Sequence, residues 1–439
     1  MTVGMFDSFI TRHWFSTEAK TIWSDMATLQ AWLDVEAALA QAQGRLGVIP
    51  AEVAPVITGA CKQELFDTER LSRDIAYAQH PFVPVLRQIE ELCGEPAAGY
   101  VHWGATTQNI FDTGVALQMR RTQTLIDASL AAASDTLDAL AKEHRDTLQA
   151  GRTHGQHALP MTFGFKVAGW LEEVRRDRER LVARIRPSFV ASLGGAIGTF
   201  AAMGPRGPEV EKEMGKILDL EPAILPMRSS FDRASDYFSA LALLAGTAEK
   251  IAQDVVFMQR TEIAEVEEAF HMGKVGSSTM AQKRNPSTAL LLISLSRMLQ
   301  ARLPLILGSM NRMDEGDSSA TNVADVAVPE MAILGVSIAE TLARLVSGLV
   351  VNKEVMRRNL DITNGLIVSE AAMMQLSNRL GRHKAHHMLY EAAQRSVMEG
   401  VPFTTAIAEH SEMQGQGAVT LDAAGYTGES GALVDRLTK

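Results

Sequence analysis

Gly276-Ser277-Ser278-Thr279-Met280-Ala281-Gln282-Lys283-Arg284-Asn285 is a short polar string set between two long stretches of helical periodicity. Its flanks, 237–270 and 288–307, repeat apolar side chains at helical spacing. Further out, 31–46 is alanine-rich, carries Leu33, Val35, Ala38, Leu39 and Ala42 at helical spacings, and stops at Gly47 and Pro50. Residues 115–150 contain neither glycine nor proline, so they predict one helix of roughly 50 Å at 1.5 Å per residue. Leu117, Ile126, Leu130, Leu137 and Leu140 give it apolar faces. A helix that long needs partners, and 167–185 and 332–350 read as more of them. The chain is therefore expected to be all-α.

The polar string fits the pattern G-S-x-x-M-x-x-K-x-N and, with two further segments, resembles the fumarase/aspartase superfamily. Members of that superfamily make or break a bond β to a carboxylate by abstracting a carbon-bound proton. Residues 102–113, His-Trp-Gly-Ala-Thr-Thr-Gln-Asn-Ile-Phe-Asp-Thr, are similar to its H-x-G-A-T-S-Q-D-x-x-D-T element. Residues 151–164, Gly-Arg-Thr-His-Gly-Gln-His-Ala-Leu-Pro-Met-Thr-Phe-Gly, are similar to its second element. The 192–199 segment carries a Gly-Gly-Ala-x-Gly-Thr turn, and 356–370 resembles the opening of the C-terminal domain in adenylosuccinate lyases and bacterial 3-carboxy-cis,cis-muconate cycloisomerases. The resemblance implies three helical domains, 1–104, 105–352 and 353–439, with a long central bundle that joins a homotetrameric twenty-helix core. It also implies active sites shared by three subunits, each giving one of the three signature segments.

Residue roles follow from the resemblance and make chemical sense. Removing a proton next to a carboxylate creates a doubly charged aci-carboxylate, which needs cationic and N–H donors aimed at it. Lys283 and Asn285 supply them, Ser277 is implied as the general base, and Ser278 and Met280 belong to the same substrate-closing loop. Gly276 gives that loop freedom, and Ala281 stands where most members have proline. Thr106, Thr107 and Gln108 are implied to hold a substrate carboxylate, with His102 beside them. Thr153 is implied to bind carboxylate and His154 to protonate the leaving group, a task suited to imidazole near neutral pH. The superfamily usually pairs that histidine with a glutamate five residues beyond the loop asparagine, and here the position is Leu290. Either another acid serves or the donor differs, and His102 and His157 are the substitutes. His80 reads as peripheral. Arg233 falls where relatives place an arginine for a distal carboxylate, although a helix-start salt bridge accounts for it equally well. Lys274 and Arg260 read as solvated or interfacial.

Adenylosuccinate lyases carry two arginines downstream of the loop that grip a phosphate. Gly316 and Asp325 occupy those positions here, and Asp314, Glu315 and Asp317 make the segment acidic. The cycloisomerases share more of the wording and also lack the glutamate, yet they usually have no histidine at the place of His154. The sequence thus favours a carbon–nitrogen lyase acting on an N-substituted aspartate, releasing fumarate and a neutral or cationic amine. A lactonising cycloisomerase, an adenylosuccinate lyase and an inactive structural relative are the alternatives; intact Ser277, Lys283 and Asn285 argue against the last.

Composition agrees. The 439 residues are 46% hydrophobic and carry a formal charge of −10, which leaves no basic footprint for nucleic acid. Cys61 and Cys93 are too few for a disulfide scaffold or thiolate metal site, and suit a reducing cytoplasm. No basic-then-apolar leader and no membrane span is expected. The 21 methionines read as core filler, and no metal or other cofactor is expected. The expected partner is a small dicarboxylate.

Overall fold

The computed structural model describes residues 4–270, 276–415 and 417–438, so Lys274 lies outside the described residues. In chain order the principal elements are α1 (Asp25–Arg45), α2 (Val83–Cys93), α3 (Thr107–Glu143), β1 (Leu148–Thr153), β2 (Gln156–Thr162), α4 (Phe163–Ser188), α5 (Gly207–Leu218) and α6 (Asp232–Met258). There follow β3 (Val266–Glu267), α7 (Ser287–Gln300), α8 (Leu303–Gly308), α9 (Ser318–Ser347), β4 (Val350–Val351), α10 (Lys353–Leu360), α11 (Ser369–Leu380) and α12 (Arg382–Glu399). The all-α class is borne out: among the described residues the strands form only two small antiparallel pairs, β1 with β2 and β3 with β4. The chain divides into two compact units.

The first unit comprises residues 1–130, 176–248 and 294–341. Ser24 caps α1 by accepting the Ala27 N–H at 3.3 Å, and the helix buries Leu33, Val35 and Leu39. Trp32 stacks on Phe111 of α3 with ring centroids 4.3 Å apart, and Phe82 meets both rings edge-on. Gly114 permits this packing, since a Cβ there would lie 2.9 Å from the Trp32 ring. Leu241 of α6 occupies the space over Gly335 of α9, which brings those two helices close together.

The second unit comprises 131–175, 249–293 and 342–439. Phe163, Trp170, Leu171, Ile251, Val255 and Leu342 are buried in it. Leu376, Met388 and Phe403 anchor a C-terminal cluster. Here α4 starts hard against the end of α3, with the Gly164 N–H donating to the His144 carbonyl at 2.9 Å.

Four expected helices have different ends in the structure. The 115–150 helix is displaced to α3: Gly114 is absorbed because of Trp32, and 148–153 leave the helix to pair as a strand. The hairpin had no counterpart in the helical reading. The 237–270 stretch stops at Met258, because the chain turns through Ala264 at φ +51° to bury Glu265. The 288–307 stretch breaks into α7 and α8, with Pro304 in the first turn of α8 and Arg302 paired to Glu330 at 2.5 Å. The 332–350 helix begins earlier, at Ser318, and takes in Pro329. By length and apolar composition two stretches could cross a membrane, contrary to the sequence expectation; 318–347 is mostly buried, and 287–308 is the broken pair α7 and α8.

A Cβ at Gly164 would sit 2.6 Å from both the Ala141 and His144 carbonyl oxygens, which are backbone and cannot swing away. Gly164→Ala is expected to destabilise the protein by about 1–3 kcal/mol. A thermal midpoint equal to wild type would contradict this close approach.

Candidate active site

In the first unit the site begins at the start of α3. Asn109 Oδ1 accepts the Thr106 N–H at 3.1 Å and the Gly195 N–H at 3.2 Å, joining the helix start to the 192–199 turn. Thr113 adds a reciprocal pair with Ser192, donating to its carbonyl at 3.2 Å and accepting its N–H at 3.1 Å. The turn needs its glycines: Gly194, Gly195 and Gly198 all have φ between +74° and +95°, and a Cβ on Gly198 would meet the Pro226 carbonyl at 2.5 Å. Beneath it, the Leu193 N–H donates to Glu211 of α5 at 2.8 Å. Thr107 and Gln108 therefore occupy the first turn of a fixed helix, where backbone N–H groups favour an anion.

Gln108 lines a cavity of about 370 Å³. Trp32, Phe111, Val328 and Pro329 give it apolar walls, and Arg233, Arg312, Asp112 and Asp325 give it charge. Arg233 thus lies where a ligand carboxylate could meet it. Gln108 donates to Asp112 at 2.7 Å. Burial pushes the Asp112 carboxyl up, against the pull of the Gln108 bond and of Arg312 and Arg228. Burial and Asp112 push Asp325 up to about 6, although its exposed edge lets solvent moderate the effect. Arg312, lowered by burial, donates to the Ser309 carbonyl at 3.0 Å and the Arg228 carbonyl at 2.8 Å, and lies over the Phe231 ring.

This corrects the acidic reading of 314–325. Asp317 is spent on Ser319 and on the Met313 N–H, Asp314 and Glu315 are exposed, and a Cβ on Gly316 would meet the Arg228 guanidinium at 3.2 Å. Arg228 and Arg312 bring positive charge to a segment that looked purely acidic.

His102 stands just before α3 with φ +57°, its Nδ1 2.5 Å from Glu36 Oε1. His80 accepts the Phe82 and Val83 N–H groups at the start of α2.

In the second unit, β1 and β2 form a hairpin whose two turn residues, His154 and Gly155, have φ +53° and +77°. That is the signature of a type I′ turn, and it sets Thr153 and His154 exposed at the tip. The hairpin is tied to Glu265 near its base and near its turn: Glu265 takes Gln149 at 2.8 Å and Arg152 at 2.5 Å, and Asn359 at 2.9 Å. Burial raises the Glu265 carboxyl, but these three donors outweigh it and the net shift is downward. His157, facing Arg152 across the hairpin, is lowered by burial and by that arginine, and its buried Nδ1 has no partner among the described residues.

The 276–285 loop is closed at its neck. Asn285 Nδ2 donates to the Gly276 carbonyl at 2.6 Å, a latch that leaves one amide hydrogen without a partner among the described residues. Glu268 accepts the Thr288 and Ala289 N–H groups and so caps α7, while Arg284 pairs with Glu267 at 2.8 Å. Ser277 Oγ accepts the Met280 N–H at 3.0 Å and the Thr279 N–H at 3.3 Å. Ser278, Met280 and Lys283 are exposed, as is Leu290. No group of His, Cys, Asp and Glu is placed to hold a metal among the described residues. The geometry thus gathers His102, Thr106, Thr107, Gln108 and Arg233 in one unit, and Thr153, His154, His157 and the 276–285 residues in the other.

The helical architecture and these signature segments define a lyase. A family described as lyase matches residues 16–300, and one described as adenylosuccinate lyase C-terminus matches 365–437. The chain belongs to this lyase family, within the adenylosuccinate lyase and 3-carboxy-cis,cis-muconate cycloisomerase branch of the fumarase/aspartase superfamily. It is 38% identical to N-acetyl-S-(2-succino)cysteine lyase of Enterococcus italicus, over 98% of this chain and 96% of that protein. It is 36% identical to the protein of the same name from Dickeya dadantii, over 100% and 98%. The crystal structure of 3-carboxy-cis,cis-muconate lactonizing enzyme from Pseudomonas putida superposes with a TM-score of 0.90 at 33% identity, covering 97% of each chain.

Arg312, Arg228 and Glu36 were missed from the sequence. Glu36 had a partial signal: it and Asp34 are the acids among Leu33, Val35, Ala38 and Leu39, and of the two the helix buries Glu36. Glu211 carries a testable consequence. Burial holds its carboxyl at about 7, partly offset by the Leu193 N–H. A raised folded value means the folded state keeps a proton that the unfolded chain loses, so stability falls as pH rises from about 4.5 to about 7. The full cost is about 3 kcal/mol. Glu211→Gln is expected to melt above wild type at pH 8 and level with it at pH 5. The same difference at both values would overturn the assignment.

Proposed function

We propose that the protein eliminates a heteroatom leaving group from a 2-substituted succinate and releases fumarate. The observation that carries this reading is the cavity at the start of α3, where Gln108, Arg233 and Arg312 line an apolar and aromatic chamber. Such a chamber suits a molecule with carboxylates at its ends and an apolar middle. Ser277, as the alkoxide after its own hydroxyl proton has passed to solvent, takes the proton from the carbon beside one carboxylate and becomes a hydroxyl again, and the electron pair passes onto that carboxylate. Lys283 and the remaining amide hydrogen of Asn285 bear the charge, with Ser278 and Met280 closing over the substrate and Thr106, Thr107 and Thr153 holding its carboxylates. Collapse of the intermediate breaks the bond from the next carbon to the heteroatom, which leaves with its electron pair and takes a proton from an imidazole. The products are fumarate and a neutral amine or thiol.

Nitrogen and sulfur leave by the same route. The names of two relatives place the succinyl group on a cysteine sulfur, and the arginines of the cavity suit a leaving group that ends in a carboxylate. A lactonising reading is supported by the likeness to the Pseudomonas putida enzyme and by the wording and the missing glutamate shared with the cycloisomerases. On either reading the protein works in the cytoplasm as a homotetramer, with each site drawn from three subunits around the 105–352 bundle and flanked by domains 1–104 and 353–439.

Incubation with succinyl adducts of N-acetylcysteine and of amines, adenylosuccinate included, and separately with 3-carboxy-cis,cis-muconate decides between them. Fumarate release from a succinyl adduct is expected. Lactone without fumarate would replace the elimination reading, and no product from any compound would end it.

Two substitutions probe the roles. Ser277→Ala is expected to lower turnover by at least ~10³-fold while the thermal midpoint holds, because it removes the base and little packing. Retention of most activity would move the base elsewhere. Arg312→Gln is expected to raise KM about 10-fold or more for adducts whose leaving group carries a carboxylate, and to spare those without one. Equal losses on both would place Arg312 outside the leaving-group contact.

A further inference from the structure

The position that would hold an orienting carboxylate for His154 is Leu290, and His154 itself has no hydrogen-bond or ion-pair partner among the described residues. A different imidazole is oriented. Glu36 of α1 is 1% exposed at its side chain and lies with Oε1 2.5 Å from His102 Nδ1. Its other oxygen, Oε2, is buried without a partner among the described residues, an expensive arrangement for a carboxylate whose only task is packing. The His102 ring rests against Phe82 at 5.4 Å between centroids and keeps 16% of its surface open. Its Nε2 has no partner among the described residues. The residue also holds a left-handed backbone conformation, at φ +57°, four positions before Thr106. Strain of that kind on a non-glycine residue persists where the surroundings over-determine it.

We propose that Glu36 is the positioning residue for His102, and that His102 is the imidazole that protonates the leaving atom. The inference rests on the elimination reading above. With Nδ1–H directed at Glu36, the tautomer is set and Nε2 is the nitrogen left to exchange protons with a substrate. In the step itself the Nε2–H bond of the imidazolium breaks and the proton moves to the heteroatom as its bond to carbon breaks. The neutral ring is recharged from solvent. Cys61, the nearby thiol, is pushed well up first by burial and then by the Glu36 charge, so it stays protonated and takes no part.

The test uses the full-length protein. In protein labelled with 15N at histidine, the ring signals lost in His102→Gln identify that residue. Wild type is expected to show the Nδ1–H tautomer and Glu36→Gln a mixture. Glu36→Gln is expected to lower kcat on the best succinyl adduct about 100-fold with KM within about threefold, and to move the limb of the pH–rate profile that disappears in His102→Gln. The double variant should be no worse than His102→Gln alone, because the two residues act as one unit. If Glu36→Gln does not fold, Glu36→Asp keeps the charge one methylene away and should give an intermediate kcat. Turnover within threefold of wild type with an unmoved pH profile, or an Nε2–H tautomer in wild type, overturns the proposal. If wild type releases no fumarate from any adduct, the elimination reading and the donor role fall together, while the tautomer still decides whether Glu36 positions the ring.

Discussion

Glu265 is fully buried, and a carboxylate with no water around it must be surrounded by donors or lose its charge. Two parts of the second unit meet that demand for the 263–267 segment that carries the acid: the hairpin through Gln149 and Arg152, and α10 through Asn359. Arg152 also lies over the Phe257 ring, so its guanidinium is held by stacking as well as by the ion pair. Much of the candidate chemistry in this unit depends on the arrangement. The hairpin that presents Thr153 and His154 is fixed by it near its base and beside its turn. Two and three residues beyond Glu265, Glu267 and Glu268 fasten Arg284 and the start of α7, both on the C-terminal side of the Ser277 loop. Removing one partner would strand a buried charge, which costs far more than the pair contributes when intact.

In the first unit the corresponding constraint is backbone shape. The 192–199 turn can lie against α3 only because glycine occupies the positions with positive φ, and Asn109 and Thr113 then lock it with side-chain hydrogen bonds. The result is a helix start held from two sides, with Thr106, Thr107 and Gln108 directed by it and a cavity opening beside it. The charge of that cavity is a balance of opposites. Asp112 and Asp325 are driven towards the protonated form, and Arg312 is held by carbonyl groups and an aromatic face rather than by a full ion pair. A site of that kind sets the positive charge of Arg233 and Arg312 beside two carboxyls whose ionisation burial disfavours.

The helical class was legible because helix formation follows a local period, and the runs around Leu33, Ile126, Leu241 and Leu334 show it within a few turns of chain. Helix ends were less legible. Where α3 stops, nothing in 144–150 breaks a helix, and the chain leaves because the hairpin has a better use for those residues. The His154-Gly155 turn lacks the asparagine–glycine or aspartate–glycine pair that marks such hairpins most clearly. Candidate residues inside the three signature segments were legible because the segments are contiguous. Arg312, Arg228 and Glu36 were not, because each acquires its meaning from a partner far along the chain.

The sequence by itself determined that the protein is helical, where its three polar segments lie, and that they resemble the signature segments of the superfamily to which the chain belongs. Periodicity and short motifs are properties of neighbouring residues, so no tertiary information is needed to read them. Only the tertiary structure decided that Glu36 sits under His102, that Arg152 and Glu265 share a buried bond, and that Arg312 stands beside Asp112 and Asp325. Those pairings are set by how helices pack against one another. Charge and burial at a site are sums over residues that the chain brings together from many places.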